Sequence, residues 1–324
     1  MILAGDIGGT KTNLGLFDAG EGSLRLLKQQ SFPSRENTGL ESIVSRFMEG
    51  EEVRPAAACF GVAGPVLNGQ SVTPNLPWVV DSDSVARTLG LESVSLINDL
   101  EAMGHGIAEL KPGEMLALNQ GAAVEGNAAL VAAGTGLGVA SLFWNGRKHL
   151  PSASEGGHAD FAPRNQLEIE LLLHMQTKHS RVSCERVLSG PGLFNIYDFL
   201  RASGYAEEDK EIAEAFRTND PSSVISKAAL ANRCKMCVKA LDMFAAIYGA
   251  VAGNIALTLK AVGGVYIGGG IAPKILEKLK DGTFVGAFMD KGRLSPLLAT
   301  IPVRVILNDK TPLLGAARVA AESL

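Results

Sequence analysis

Two stretches of the chain share one pattern: an apolar run, a glycine turn, then a second run in which apolar and small or polar residues interleave. The first is Leu3-Ala4-Gly5-Asp6-Ile7-Gly8-Gly9-Thr10-Lys11-Thr12-Asn13-Leu14-Gly15-Leu16-Phe17. The second is Val131-Ala132-Ala133-Gly134-Thr135-Gly136-Leu137-Gly138-Val139-Ala140-Ser141-Leu142-Phe143. Neither continuation has the three-to-four spacing of an amphipathic helix, so each predicts a strand, a tight turn and a second strand. Repetition of the unit predicts two related α/β domains, residues 1–110 plus 301–324 and residues 111–300, separated by a cleft of the kind that takes small ligands.

Between the two hairpins the pattern predicts a helix near Gly39–Glu49, a strand at Ala56–Gly61, a helix at Ser82–Leu89, a strand at Ser93–Ile97 and a helix starting near Asp99. The second half reads as mostly helical, with Gln166–Lys178, Gly192–Ser203, Asp209–Thr218 and a long helix or pair of helices from Ser222 to Ala261. A strand at Gly264–Ile267 leads into Gly268-Gly269-Gly270. Pro273 suits the first turn of the next helix, where its missing amide hydrogen would be unpaired anyway. Val303–Leu307 reads as a last strand and Thr311–Glu322 as a last helix, expected to return to the first domain.

Composition narrows the classes. With 324 residues, 46% apolar and 20% charged, the chain is globular and long enough for two cores. Its 30 basic and 34 acidic side chains lack the basic excess that binds nucleic acid. Four scattered cysteines make no disulfide framework and point to a reducing compartment, the cytoplasm. The N-terminus turns polar at once, without the basic and apolar regions of a signal peptide. Met243–Leu259 has no formal charge, but it is rich in Ala and Gly and contains Asn254, so it reads as a buried helix and no membrane partner is expected. Cys234-Lys235-Met236-Cys237 has the spacing of a metal or redox pair, yet it lies in a helical pattern with no second pair nearby; packing is expected.

The glycines gather where chemistry is expected. Gly5-Asp6-Ile7-Gly8-Gly9-Thr10-Lys11-Thr12 nearly matches a phosphate-binding Walker loop, but Thr10 replaces its second glycine and a strand follows where a helix should. What remains is a hairpin whose backbone amides, with Thr10 and Lys11, can approach phosphate oxygens. Asp6 either caps local amides or sits beside a divalent cation carrying phosphates. Gly134-Thr135-Gly136-Leu137-Gly138 lacks the helix of a dinucleotide fingerprint, and with the first turn it can clamp a polyphosphate. Asn98-Asp99 stands where a strand gives way to a helix, so Asp99 is either an N-cap or a reactive carboxylate. Glu155-Gly156-Gly157-His158 combines two glycines with a carboxylate and an imidazole able to bracket neighbouring hydroxyls. Thr73-Pro74-Asn75-Leu76-Pro77-Trp78 reads as an extended loop in which Asn75 can reach a ligand and Trp78 packs in the core.

Taken in order, Gly5–Thr10, Ile97-Asn98-Asp99, Ala133–Gly138, Glu155–His158, Glu185-Arg186-Val187-Leu188-Ser189-Gly190 and Gly268-Gly269-Gly270-Ile271 resemble the actin-like ATPase and sugar-kinase superfamily. The resemblance is closer to the bacterial glucokinases of the hexokinase type. It implies a two-domain actin-like, ribonuclease H-like α/β fold and ATP-dependent phosphorylation of glucose at its 6-hydroxyl. ATP would lie on Gly5, Asp6, Ile7, Gly8, Gly9 and Thr10, on Gly134, Thr135, Gly136 and Gly138, and on Gly268, Gly269 and Gly270. Asp99 would be the catalytic base, and glucose would contact Asn98, Asp99, Glu155, His158 and Glu185, with Asn75 as a further contact. Magnesium would arrive with ATP, near Asp6, with no structural metal site. In the repressor-related sugar kinases a zinc-binding cysteine cluster follows the Glu-Gly-Gly-His stretch; here Ala159-Asp160-Phe161-Ala162-Pro163 follows, so no zinc is expected. The family also suggests a homodimer. A kinase for another hexose, or an ATP- and sugar-binding sensor without catalysis, are the alternatives.

Overall fold

The computed structural model describes residues 1–20, 23–73, 76–122 and 124–324. The chain divides into one unit of Met1–Pro112, Leu150–Ala153 and Asn308–Leu324, and another of Gly113–His149 and Ser154–Leu307.

The first unit is built on β1 (Ile2–Ile7), β2 (Lys11–Asp18), β3 (Arg25–Pro33) and β4 (Ala57–Val62). A small three-stranded sheet follows, β5 (Val66–Leu67), β6 (Gln70–Val72) and β7 (Val79–Asp81), and then β8 (Ser95–Asn98). The main sheet runs β3-β2-β1-β4-β8, antiparallel from β3 to β1 and parallel from β1 to β8. β1 is apolar at almost every position because both faces are covered, as parallel strands require. Alternation sends Leu3 and Ile7 into a cluster with Ile43, Phe47 and Phe60, and Ile2 and Ala4 into one with Leu313, Ala316 and Ala320 of the C-terminal helix.

That helix, Thr311–Glu322, packs closely on the helix Asp99–Gly106. A Cβ on Gly315 would lie 1.7 Å from the Ala102 carbonyl oxygen, and one on Gly106 2.0 Å from that of Thr311. Arg318 Nε also donates to Glu109 Oε1 at 2.7 Å. Gly315→Ala is therefore expected to cost about 1–3 kcal/mol of stability through overpacking. Gly286→Ala is the control: this glycine lies in the helix Thr283–Met289 and its Cβ would meet nothing within 4 Å among the described residues. It is expected to raise stability by about 0.5–1 kcal/mol. Denaturant titration of both variants checks the pair.

A six-stranded sheet is built from β9 (Met115–Asn119), β10 (Ala128–Ala133), β11 (Leu137–Trp144), β12 (His149–Ser154), β13 (Gly264–Gly268) and β14 (Val303–Ile306), in the order β12-β11-β10-β13-β14-β9. β10 is antiparallel to β11 and parallel to β13, which is parallel to β14. Without β9, this order repeats that of the first sheet strand for strand. β14 corrects the expected boundary at residue 301. It pairs with β13 and β9, and Val265 N–H donates to the Pro302 carbonyl at 2.8 Å, so the return to the first unit begins at Asn308.

The stretch from Ser222 resolves into two helices, Pro221–Leu230 and Lys235–Leu259, separated where Asn232 takes φ +52°. The longer one meets the length and composition of a membrane span, but 72% of its most apolar stretch is buried within the fold. Cys234 caps it, its Sγ accepting the Cys237 N–H at 3.4 Å, and both cysteines are buried.

Candidate functional site

In the first unit, β1, β4 and β8 run parallel and deliver their following residues to one edge of the sheet. The turn after β1 is held by Ser34, which is fully buried: its N–H donates to the Thr10 carbonyl at 3.0 Å and its Oγ to that of Gly8 at 2.7 Å. Gly8 N–H donates across the turn to the Lys11 carbonyl at 2.9 Å. These bonds occupy carbonyls and fix the shape of the tip, where Thr10 and Lys11 are exposed. Gly5 serves the core instead, because its Cβ would sit 2.3 Å from Phe60 Cδ1.

Asp6 shares the face of Ile2 and Ala4, which brings it beside the start of the C-terminal helix. Asn13 Nδ2 donates to Asp6 Oδ2 at 3.1 Å, and Ser31 Oγ to Asn13 Oδ1 at 2.6 Å, making one polar rung across β1, β2 and β3. A pocket of about 180 Å³ opens here, lined by Asp6, Lys11, Asn13, Ser31, Asp309 and Lys310 among others. Burial pushes the Asp6 pKa up; the bond from Asn13 opposes this and the nearby charge of Asp309 adds to it. Two carboxylates and two ammonium groups around one pocket suit a phosphate chain with its cation.

The raised pKa has a stability consequence. Between the ordinary aspartate range and its raised value, native Asp6 keeps a proton that the unfolded chain has lost, so stability falls as pH climbs through that window. Above it the penalty is complete. Asp6→Asn is expected to melt higher than the native protein near neutral pH, with the gap closing as pH falls below the ordinary aspartate range. Calorimetry across pH checks this; an equal gap at every pH contradicts it.

At the end of β8, Asn98 rather than Asp99 is the N-cap of the helix Asp99–Gly106. Its Oδ1 accepts the Leu100 N–H at 2.9 Å and its Nδ2 donates to the Gly64 carbonyl at 3.0 Å. Burial pushes the Glu101 pKa up, opposed by a hydrogen bond to its carboxylate from the Asn98 backbone N–H. The capping reading of Asp99 is thus corrected: a better-placed cap precedes it by one residue. Asp99 opens the helix, at its positive pole, with Oδ1 accepting the Leu100 N–H at 2.9 Å.

In the second unit, three sequence-distant motifs, Glu155–His158, Glu185–Gly190 and Gly268–Ile271, meet at the turn between β10 and β11. Leu137 N–H donates to Glu185 Oε2 at 3.0 Å, so Glu185 belongs to the wall of this turn. Gly190 N–H donates to the Gly134 carbonyl at 2.8 Å. Gly157 leaves room for the Leu137 carbonyl, which would lie 1.9 Å from a Cβ there. Ile271 N–H donates to the Ala133 carbonyl at 3.2 Å, and Gly269 turns past that carbonyl at φ +82°. Glu155 and His158 stand exposed on the short helical turn around Gly157, Oε2 and Nε2 4.0 Å apart, with the His158 carbonyl accepting from Arg181 Nη1 at 2.8 Å.

The glycines here divide into two kinds. A Cβ on Gly136 would lie 2.6 Å from Glu185 Oε2, and one on Gly269 2.3 Å from the Ala133 carbonyl oxygen. At Gly134 and Gly270 a Cβ would meet nothing within 4 Å among the described residues, so the chain's own packing does not require glycine there. Bare backbone facing open space suits close approach by a ligand. Asn75 lies outside the described residues. Ser34, Asn13, Asp309 and Lys310 escaped the sequence reading; the parity of Asp6 with Ile2 and Ala4 was the one available signal for this face of the sheet.

A glucokinase family model matches residues 3–323. The chain belongs to the glucokinase family. This glucokinase-family chain is 44% identical to a glucokinase of Nostoc sp., over 99% of each chain. Among solved structures it resembles a glucokinase from an Antarctic psychrotroph at 30% identity, with a TM-score of 0.86 and coverage of 99% of this chain and 98% of that one. A glucokinase of the repressor-related group from Streptomyces griseus, solved with glucose and AMPPNP, covers 99% of both chains at 22% identity and a TM-score of 0.67, a likeness of fold. The doubled sheet order is that of the actin-like ATPase fold these sugar kinases share.

Proposed function

We propose that the chain transfers the γ-phosphoryl group of ATP to the 6-hydroxyl of D-glucose, giving glucose 6-phosphate and ADP. The carrying observation is the family match across residues 3–323, on a chain whose glycine turns and polar motifs are all present. Asp99 accepts the proton of the 6-hydroxyl as that oxygen attacks the γ-phosphorus. Phosphoryl transfer has a loose transition state, so alignment and charge neutralisation outweigh base strength.

The turns at Gly8–Thr10, Gly134–Gly138 and Gly268–Gly270 take the nucleotide. The bare backbone of Gly134 and Gly270 fits this role, and Lys11 and Lys310 meet phosphate oxygens. Asp6 and Asp309 would hold the magnesium that accompanies ATP, which when bound would neutralise charge on the phosphates. Glu155, His158 and Glu185 bind sugar hydroxyls, and Asn98 adds its second Nδ2 hydrogen while its first holds Gly64. Asn75 is a further proposed contact. The compartment of both substrates makes the cytoplasm the proposed location, and the family suggests a homodimer.

Hydrogen bonds to charged groups are worth about 1.5–3 kcal/mol each, enough for a few of them to separate hexoses strongly. A coupled assay over glucose, mannose and fructose is expected to give glucose the highest kcat/KM, by about tenfold or more. Equal values would move the reading to a general hexose kinase.

A further inference from the structure

The helix Lys235–Leu259 carries Tyr248 into the centre of the second unit. The side chain is fully buried, with its ring edge-on to Phe244 and Phe284 at centroid distances of 6.1 and 5.5 Å. A phenol hydroxyl in such surroundings is costly unless partnered. This one has three partners, all main chain: it accepts the Ala133 N–H at 3.2 Å and faces the carbonyls of Val131 at 3.0 Å and Gly268 at 3.3 Å, which share its hydrogen. Burial pushes its pKa up, so it stays a hydroxyl donor.

The place of these partners matters more than their number. Pairing between β10 and β13 ends at Ala132 and Gly268, and the next residues of each strand are the glycine turns. Gly269 carries β13 out of the ladder, and on the far side Ile271 N–H returns to the Ala133 carbonyl. The Tyr248 hydroxyl therefore sits at the fork, bonded to the root of both turns. We infer that Tyr248 is a positioning residue for the nucleotide: its hydroxyl sets the spacing between the roots of Gly134–Gly138 and Gly268–Gly270, so that both turns meet one ligand. The inference rests on the proposed assignment of these turns to ATP.

The test is Tyr248→Phe, which keeps the ring and removes the hydroxyl, titrated calorimetrically with ADP and separately with glucose. The expected result is a loss of ADP affinity and a rise in ATP KM of about fivefold or more, from the lost buried hydrogen bonds. Glucose affinity stays within about twofold and kcat falls less than ATP KM rises. ADP affinity within about twofold of the native value overturns the inference, and so does an equal loss of ADP and glucose affinity, which marks general loosening. Gly270→Val separates the two levels of the argument. If it abolishes ADP binding while Tyr248→Phe does not, the role of Tyr248 alone fails; if ADP binding ignores Gly270→Val, the assignment of the turns fails. Should Tyr248→Phe not fold, hydrogen exchange of the native protein decides: ADP must slow exchange over residues 131–138 and 265–271 together, and slowing of one segment only overturns the inference.

Discussion

Asp99→Ala is expected to lower kcat by about 10²–10⁴-fold, the contribution of a positioned general base, while the KM for glucose changes far less. The separation follows from the structure. Asp99 begins the helix that Asn98 caps, and the substitution removes the Asp99 Oδ1 bond to the Leu100 N–H but leaves the Asn98 Oδ1 bond to that same N–H. The helix should remain in place, clamped against Thr311–Glu322 through Gly106 and Gly315. What disappears is the proton acceptor for the 6-hydroxyl. Asp99→Asn should resemble alanine in turnover, because the amide keeps the shape and lacks the basicity. Near-native turnover in either variant would remove Asp99 from the chemistry.

The second large effect is expected at glycines that the fold itself does not need. Gly134→Val and Gly270→Val should leave the denaturation midpoint close to native, since a Cβ at either position meets nothing within 4 Å among the described residues. They should nonetheless raise the KM for ATP and lower turnover, together by about 10²-fold, the scale of a reactant misplaced by about an ångström. Gly269→Val should behave differently, because its φ of +82° and its approach to the Ala133 carbonyl make the variant unstable before it is inactive. Kinetics and melting of the three proteins, measured side by side, distinguish a ligand-facing glycine from a structural one. Native ATP KM in Gly134→Val and Gly270→Val would contradict the assignment.

The hairpins at Gly8–Thr10 and Gly134–Gly138 were legible because a glycine turn between two apolar runs is a local signal, and seeing it twice implied the doubled sheet. β3 was not legible: among its nine residues Phe32 alone is buried, and Leu26 and Leu27 point outward on an edge strand, so no alternation marks it. β12 contains Pro151, which reads against a strand unless the strand lies at an edge. The sequence left Asp99 as either a cap or a reactive carboxylate; the cap is Asn98, one residue earlier, a type that caps as well as aspartate, so only the hydrogen bonds decide. The link from Glu185 to Leu137 and the three bonds of Tyr248 join residues 20 to 117 positions apart, and no periodicity encodes them. Asp309 meets Asp6 for a similar reason: the last helix covers the face of β1 that strand alternation gives to Asp6.

Glucose-dependent ADP formation by the purified protein tests the central claim most directly. With ATP and magnesium present, the account predicts ADP and glucose 6-phosphate in equal amounts when glucose is added, and negligible ADP without it. Firm binding of both ligands with no product, or ADP release at the same rate whether or not glucose is present, would contradict it.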